Sequence, residues 1–232
     1  MLVTGFPAAA FATNCYVVAP AAGQDCVIVD PGIGVLDQLA EVLAEHRLRP
    51  AAVLLTHGHF DHVYSVTPVC GAHGVAAVIH PDDAYRLKDP LRTLDPALVA
   101  MFEQQFGQAA TWAEPEDVRV VGDGDLLELA GLSWRVLHAP GHTEGSVMFT
   151  LDQVPDGIEA RSTVLSGDVL FAGSIGRTDL PGGDHAAMVR SLREKVLALP
   201  DDALVLPGHG PATSIGRERG TNPYLTQLAQ EI

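Results

Sequence analysis

Short apolar runs bounded by glycine, proline or aspartate alternate with amphipathic stretches along this chain of 232 residues. A run of four to eight apolar residues between turn-forming residues is typical of a buried β-strand. The candidate strands are NCYVVAP, DCVIVDPG, AAVLLTH, VAAVIHP, LSWRVLHAPG, STVLSGD and DALVLPGHG. The pattern therefore predicts a series of strands separated by helices.

Apolar residues at helical spacing predict helices over residues 36–48 and 185–199, and TNPYLTQLAQEI (221–232) predicts a terminal helix with proline in its first turn. Residues 81–117 are less regular and predict a helix followed by a loop. Met101, Phe102, Phe106 and Trp112 in this segment are expected to pack into the core, with a pocket cover as the alternative.

Composition limits the kinds of protein this chain can be. Its length and its 47% hydrophobic content predict one globular domain over residues 1–232. A formal charge of −15 disfavours binding to nucleic acid or to an anionic membrane. Three cysteines without paired spacing, and the lack of a basic, signal-like start or of an apolar run near 20 residues, favour a cytoplasmic protein with reduced thiols.

Several apolar runs end at, or lead to, a residue that can bind or orient a metal, namely Asp30, His57, His142, Asp168 and His209. The stretch THGHFDH adds two more histidines and an aspartate. A continuous helix over this stretch would put His57 and Asp61 on one face and turn His59 away from them. A loop at a strand end can instead aim alternate side chains at an ion. Imidazole and carboxylate ligands suit zinc, iron and manganese, and a closed site of paired cysteines is excluded. We therefore expect an open metal site.

These motifs together resemble the metallo-β-lactamase superfamily, whose pattern is HxHxDH followed by a distant histidine, an aspartate and a final histidine. The resemblance spans Thr13 to Pro211. It implies an α/β fold of the αββα type, in which two mixed β-sheets pack face to face with helices outside. It also implies two divalent metal ions, with zinc expected and iron or manganese as alternatives.

The resemblance implies a role for each motif residue. It assigns the first metal site to His57, His59 and His142, the second to Asp61, His62 and His209, and the bridge between them to Asp168. Asp30 is expected to fix a loop or orient a ligand, because metal ligands need oriented partners behind them. The remaining histidines, His46, His73, His80, His138 and His185, are expected to have no metal role.

Within the superfamily the chain is most similar to the short bacterial glyoxalase II-like hydrolases. LSGDVLFAGSIGRTDLPGGD (165–184) and LPGHGPATSIGRERGTNP (206–223) carry this resemblance. It implies hydrolysis of a thioester of the S-lactoylglutathione type by a hydroxide held between two metals, with Asp61 and Asp168 as catalytic residues. Arg177, Arg217 and Arg219 are candidates for binding an acidic thiol. Classical zinc β-lactamases usually carry cysteine at the position of Asp168, which disfavours that activity.

Three other functions remain open at this stage. A persulfide dioxygenase would use one iron, held by His57, His142 and Asp168 as two histidines and one carboxylate. A lactonase would have the same ligands as the hydrolase, and a non-enzymatic metal sensor would need only a closed site. The sequence predicts a small-molecule thioester substrate but neither the thiol, the metal nor the oligomeric state.

Overall fold

The computed structural model describes residues 1–91, 100 and 113–230, and its first sheet has six strands. In order across the sheet these are β1 (Leu2–Pro7), β2 (Asn14–Ala19), β3 (Asp25–Val29), β4 (Arg49–Leu54), β5 (Ala77–Ile79) and β6 (Val118–Val120). Strands β1 to β3 pair antiparallel, and β3 to β6 pair parallel. The sheet is therefore mixed.

The second sheet also has six strands and is also mixed. They are β7 (Leu126–Leu129), β8 (Leu132–His138), β9 (Val147–Leu151), β10 (Thr163–Gly167), β13 (Leu204–Pro207) and β14 (Thr213–Ser214). Their order is β14-β13-β10-β9-β8-β7, and β10 pairs parallel with β13 while the other neighbours are antiparallel. A small hairpin of β11 (Leu170–Phe171) and β12 (Ser174–Ile175) follows β10.

Seven α-helices connect these strands in the described part of the chain. They are α1 (Leu36–His46), α2 (Phe60–Val63), α3 (Val66–His73), α4 (Pro81–Ala84), α5 (His185–Ser191), α6 (Ile215–Thr221) and α7 (Pro223–Gln230). A 3₁₀ turn at Tyr85–Leu87 continues α4, and a π-helical stretch at Leu192–Val196 continues α5.

Alternation along the strands produces three apolar layers. In β3, Val27 and Val29 face the second sheet, whereas Cys26 and Ile28 pack against α1 and α3. The outer face of the second sheet packs against α5, its π-helical continuation and α7. Successive strand residues point to opposite faces, so strands that are apolar at every position are covered on both sides. The structure confirms the αββα sandwich.

All seven strands predicted from the sequence are present, and helices α1, α5 and α7 lie within their predicted segments. The prediction did not include β1, β6, β7, β9, the β11–β12 hairpin, β14, or helices α2, α3 and α6. Four residues lie outside the described ranges, so their expected place in the core, or over a pocket, stays a prediction: Met101, Phe102, Phe106 and Trp112. All three cysteines are buried and form no disulfide.

The described helices give no sign of a bilayer crossing. None of them combines the length and the apolar character that a transmembrane span requires.

The contact between the sheets can be tested at Trp134. Its side chain is fully buried between the sheets, and its Nε1–H donates to the carbonyl of Leu129 at 3.3 Å. Trp134→Ala should lower the free energy of unfolding of the metal-free protein, measured by urea denaturation, by about 3–5 kcal/mol. Val120→Ala, at a site 59% exposed, is the control and should change it by less than about 0.5 kcal/mol. Equal effects of the two variants would contradict this view of the core.

Candidate metal centre

Parallel strand ends bring the ligand-type residues of the sequence together. Asp30 follows β3 and His57 lies shortly after β4, its parallel neighbour in the first sheet. Asp168 follows β10 and His209 lies shortly after β13, its parallel neighbour in the second sheet. The carboxyl ends of parallel neighbours lie at the same edge of a sheet, and the two sheets are stacked. The side chains therefore meet at one end of the sandwich.

The HxHxDH stretch changes conformation halfway along. His57 and Gly58 lie in a loop, His59 is extended (φ −68°, ψ 143°), and α2 begins at Phe60. Asp61 and His62 therefore lie in the first turn of a helix, where consecutive side chains point in different directions. A loop for the first two histidines agrees with the sequence analysis, but the helical second half was not predicted.

Three buried imidazoles form the first group of candidate ligands: His57, His59 and His142. Their ring centroids are 4.5–4.8 Å apart, and the three pairs of ring planes meet at 78–88°. Nδ1 of His59 lies 2.8 Å from Nε2 of His142. A nitrogen lone pair lies in the plane of its ring, so three nearly perpendicular rings can direct their lone pairs at one point. This geometry suits a metal bound on three sides.

Asp61, His62 and His209 form the second group. Nε2 of His209 lies 3.3 Å from both Oδ2 of Asp61 and Nε2 of His62. The side chain of His209 is 30% exposed and that of Asp61 is 15% exposed, whereas His62 is fully buried. The second group therefore lies at the open side of the centre.

Asp168 lies between the two groups. One carboxylate oxygen, Oδ2, is 3.4 Å from Nε2 of His142 and 3.6 Å from Nε2 of His209. The other oxygen, Oδ1, is 3.4 Å from Nε2 of His62. A single carboxylate thus contacts one member of the first group and two members of the second, which is the position that a bridging ligand would take.

Hydrogen bonds behind the rings fix which nitrogen faces the centre. Nδ1–H of His62 donates to Asp30 Oδ2 at 2.9 Å, and Nδ1–H of His142 donates to the carbonyl of Arg177 at 2.8 Å. Thr56 Oγ1 donates to Asp30 Oδ2 at 2.6 Å, so it can accept from Nδ1–H of His57 at 3.1 Å. In a neutral ring with a proton on Nδ1, Nε2 carries the lone pair. These partners therefore turn the three Nε2 atoms toward the centre, where each carries a lone pair whenever its ring is neutral.

Two residues at the start of β2 hold the second group in place. Thr13 Oγ1 donates to Asp61 Oδ2 at 2.8 Å. The Asn14 amide donates to the carbonyls of Pro207 and Gly210, both at 2.9 Å, and so fixes the loop that carries His209. Thr13, Asn14 and Thr56 were not predicted as supporting residues. Their only signal was their position beside a predicted strand or ligand.

Electrostatics favours neutral rings in the first group. Burial, together with the neighbouring imidazoles, holds the pKa of His57 well below its usual value and lowers the pKa of His59 to about 3. Burial also lowers the pKa of His142, although Asp168 opposes the shift. Neutral imidazole is the form that binds a metal. The first group is therefore ready to bind an ion at neutral pH without losing a proton.

The second group is more strongly charged. Burial would lower the pKa of His62, but the Asp168 and Asp61 carboxylates outweigh it and raise that pKa. Burial would raise the pKa of Asp168, but the imidazoles of His62, His142 and His209 outweigh it and lower that pKa. A metal binding here would therefore displace a proton from His62.

Nε2 of His57 and Oδ1 of Asp168 are buried and have no hydrogen-bond partner in the described part of the chain. A buried polar atom left unpaired costs about 1–3 kcal/mol. Both atoms belong to the ligand groups described above, and both are metal-ligating types. A divalent ion would pair them, so the residues present fit a metal.

His80, Asp82 and His138 also bring ligand-type atoms close together. The rings of His80 and His138 are stacked, however, with centroids 3.9 Å apart and planes inclined by only 12°. In-plane lone pairs of nearly parallel, stacked rings cannot converge on one ion. This group therefore lacks the geometry that the first group has.

The three candidate arginines lie in different settings. Arg177 is exposed and paired with Asp179 at 2.7 Å, and its carbonyl holds His142. Arg217 is exposed. Arg219 donates to Asp201 at 2.7 Å and to the carbonyls of Leu197 and Leu199. These contacts of Arg219 tie α6 to the segment after α5 and do not join it to the candidate ligands.

Curated relatives resemble this chain over nearly its whole length. An uncharacterised protein of Mycobacterium tuberculosis strain H37Rv is 45% identical over 99% of this chain and 100% of the relative. The hydroxyacylglutathione hydrolase GloC of Haemophilus influenzae is 34% identical, over 94% of this chain and 95% of the relative. The probable metallo-hydrolase YqgX of Bacillus subtilis is 36% identical, over 87% of this chain and 88% of the relative.

Two solved structures are similar in both sequence and fold. The BLEG-1 B3 metallo-beta-lactamase is 36% identical, with a TM-score of 0.80 over 97% of this chain and 100% of that one. TTHA1623, solved in a di-iron-bound form, is 35% identical, with a TM-score of 0.75 over 96% of this chain and 100% of that one. The family model of the metallo-beta-lactamase superfamily matches residues 8–209. This chain therefore belongs to the metallo-beta-lactamase superfamily.

Proposed function

We propose that this chain is a metal-dependent hydrolase of hydroxyacyl thioesters, for which S-lactoylglutathione is the model substrate. The observation that carries the proposal is the pair of ligand groups joined by Asp168. The similarity to a hydroxyacylglutathione hydrolase supports the substrate class. The net charge of −15 also favours a small molecule over a nucleic acid.

The ligand residues set how a metal centre would operate here. Two divalent ions held by these groups, zinc in our proposal, would acidify a water molecule and polarise the substrate carbonyl. Asp168 keeps the groups at a fixed spacing, and Asp30 and Thr56 keep the rings in orientation. The exposed side of His209 gives a substrate access to the centre. This access favours an enzyme over a sensor with a closed site.

The protein's own nucleophiles are poor alternatives to water. Burial raises the pKa of Cys26 to about 12 and raises that of Cys70 to about 12, and it raises the pKa of Cys15 as well. A thiol with such a pKa stays protonated at neutral pH and does not attack a carbonyl. The leaving group of a thioester is a thiolate with an ordinary pKa of about 8.5, so no residue need protonate it.

A second candidate is β-lactam hydrolysis. The aspartate at position 168 disfavours it, because classical zinc β-lactamases usually carry cysteine there. The similarity to a B3 metallo-beta-lactamase at 36% identity, which covers 97% of this chain, now favours testing it. The proposed thioester hydrolase and this candidate would use the same ligands and differ in the substrate that fits outside them.

Thiol release from S-lactoylglutathione tests the main proposal. The metal-loaded protein should release thiol, and Asp168→Ala should lower kcat/KM by at least about 100-fold, because that variant loses the ligand shared by both groups. Asp152→Ala, which removes an exposed aspartate, should leave the rate unchanged. A faster reaction with the chromogenic β-lactam nitrocefin, and none with the thioester, would replace the main proposal by the second candidate.

Metal content separates the hydrolase from the persulfide dioxygenase. Because two ligand groups are present, elemental analysis of the reconstituted protein should give two metal equivalents per chain, with Asp168→Ala holding fewer. The protein should consume no oxygen when glutathione persulfide is added. One iron per chain together with oxygen uptake would refute the two-metal hydrolase.

A further inference from the structure

Asp83 is a buried carboxylate outside the ligand groups. It lies in α4, its side chain is fully buried, and it accepts three hydrogen bonds. The Gly58 N–H donates to Oδ2 at 2.8 Å, the Thr143 hydroxyl donates to Oδ2 at 2.6 Å, and the Gly145 N–H donates to Oδ1 at 3.0 Å. One side chain thus connects two loops that are distant in sequence.

Both loops carry ligands of the first group. Gly58 lies between His57 and His59, and Thr143 directly follows His142. The contact between the loops at the centre is short, since His59 Nδ1 lies 2.8 Å from His142 Nε2. A metal site tolerates errors in ligand position of only about 0.5 Å. The spacing that Asp83 sets between the loops is therefore transmitted directly to the ligand atoms.

The packing around Asp83 is close. A Cβ at Gly145 would lie 2.7 Å from Cγ of Asp83, and a Cβ at Gly58 would lie 2.6 Å from Cδ of Arg86. Arg86 is itself buried, with Nε 3.4 Å from Asp83 Oδ1 and Nη2 2.8 Å from Glu144 Oε2. The two glycines allow the backbone to approach the Asp83–Arg86 pair closely.

The second group has different supports. Thr13 holds Asp61, Asp30 holds His62, and Asn14 holds the loop of His209. Asp83 takes part in none of these contacts. A change at Asp83 should therefore act on one group and spare the other.

We infer that Asp83 is a positioning residue that holds the His57–His59 loop against the His142 loop and so sets the metal affinity of the first group. This inference rests on the two ligand groups of the proposed function and not on its substrate. Helix α4 contributes no ligand, but through Asp83 it controls the metal affinity of the first group alone.

Asp83→Asn is the informative change because it keeps the shape of the side chain. An amide has one acceptor oxygen and one NH₂ donor. If the NH₂ took the place of Oδ1, it would face the N–H of Gly145, and if it took the place of Oδ2, it would face the N–H of Gly58. Either orientation sets two donors against each other in a buried site, so the loops must separate.

The test measures zinc binding in two backgrounds by equilibrium dialysis of metal-free protein against buffered Zn²⁺. His209→Ala removes a ligand of the second group and leaves the first, whereas His59→Ala removes a ligand of the first and leaves the second. Asp83→Asn should weaken zinc binding about 10- to 100-fold in the His209→Ala background. It should weaken binding less than about twofold in the His59→Ala background, as should the exposed neighbour change Asp82→Asn in either background.

An equal effect of Asp83→Asn in both backgrounds, or no effect in either, would overturn the inference. Thermal unfolding of the metal-free variants checks that each is folded. If Asp83→Asn does not fold, Thr143→Val removes one of the three donors and should weaken zinc binding several-fold in the His209→Ala background only. Wild-type protein that binds two zinc ions without releasing thiol would refute the proposed substrate and leave this inference intact.

Discussion

The convergence of seven ligand-type side chains, five of them buried, at one end of a β-sandwich is the constraint on which the rest of this structure depends. Ionisable groups taken out of water destabilise a fold unless they are paired. Here imidazole nitrogens and carboxylate oxygens lie 3.3–3.6 Å from one another, and Nε2 of His57 and Oδ1 of Asp168 have no hydrogen-bond partner in the described ranges. The surrounding loops hold an arrangement that a bound ion would complete.

The sandwich meets this constraint through its parallel strands. Two parallel pairs, β3 with β4 and β10 with β13, end on the same side of the molecule, and each is buried by helices on its outer face. Side chains just beyond these ends are attached to a well-fixed backbone, because the strands that precede them are packed on both sides. The antiparallel strands lengthen the sheets and close the core, and one of them, β8, leads into the loop that carries His142.

Strands that are apolar along their length, such as DCVIV, could be predicted because burial on both faces leaves a continuous apolar run. The edge strands β6 and β7 could not, because none of their residues is buried and their pairing partners define them rather than their own sequence. Helix α3 contains Pro68 and Gly71, which disfavour a helix, and forms because Val66, Val69 and Cys70 pack on the first sheet. All seven ligand-type residues identified in the sequence lie close together. Their motifs follow strands in the sequence, and these strands end at the same side of the sandwich.

Asp82 and Asp83 show where sequence reasoning stops. The two residues are adjacent and identical, yet Asp82 is exposed and Asp83 is fully buried. The approach of Gly58, Thr143 and Gly145, from two other parts of the chain, distinguishes them.

Two buried carboxylates, Asp30 and Asp83, thus hold the ligand-type residues from outside the centre, and they differ in which ligand groups they support. Asp30 contacts His62 directly and His57 through Thr56, so it supports both ligand groups. Of the loops that carry ligand-type residues, Asp83 contacts those of the first group. A change at Asp30 should therefore disturb both groups together, whereas a change at Asp83 can alter one group alone. Separate outer partners of this kind allow two neighbouring metal sites of similar ligands to differ in affinity without any change in the ligands themselves.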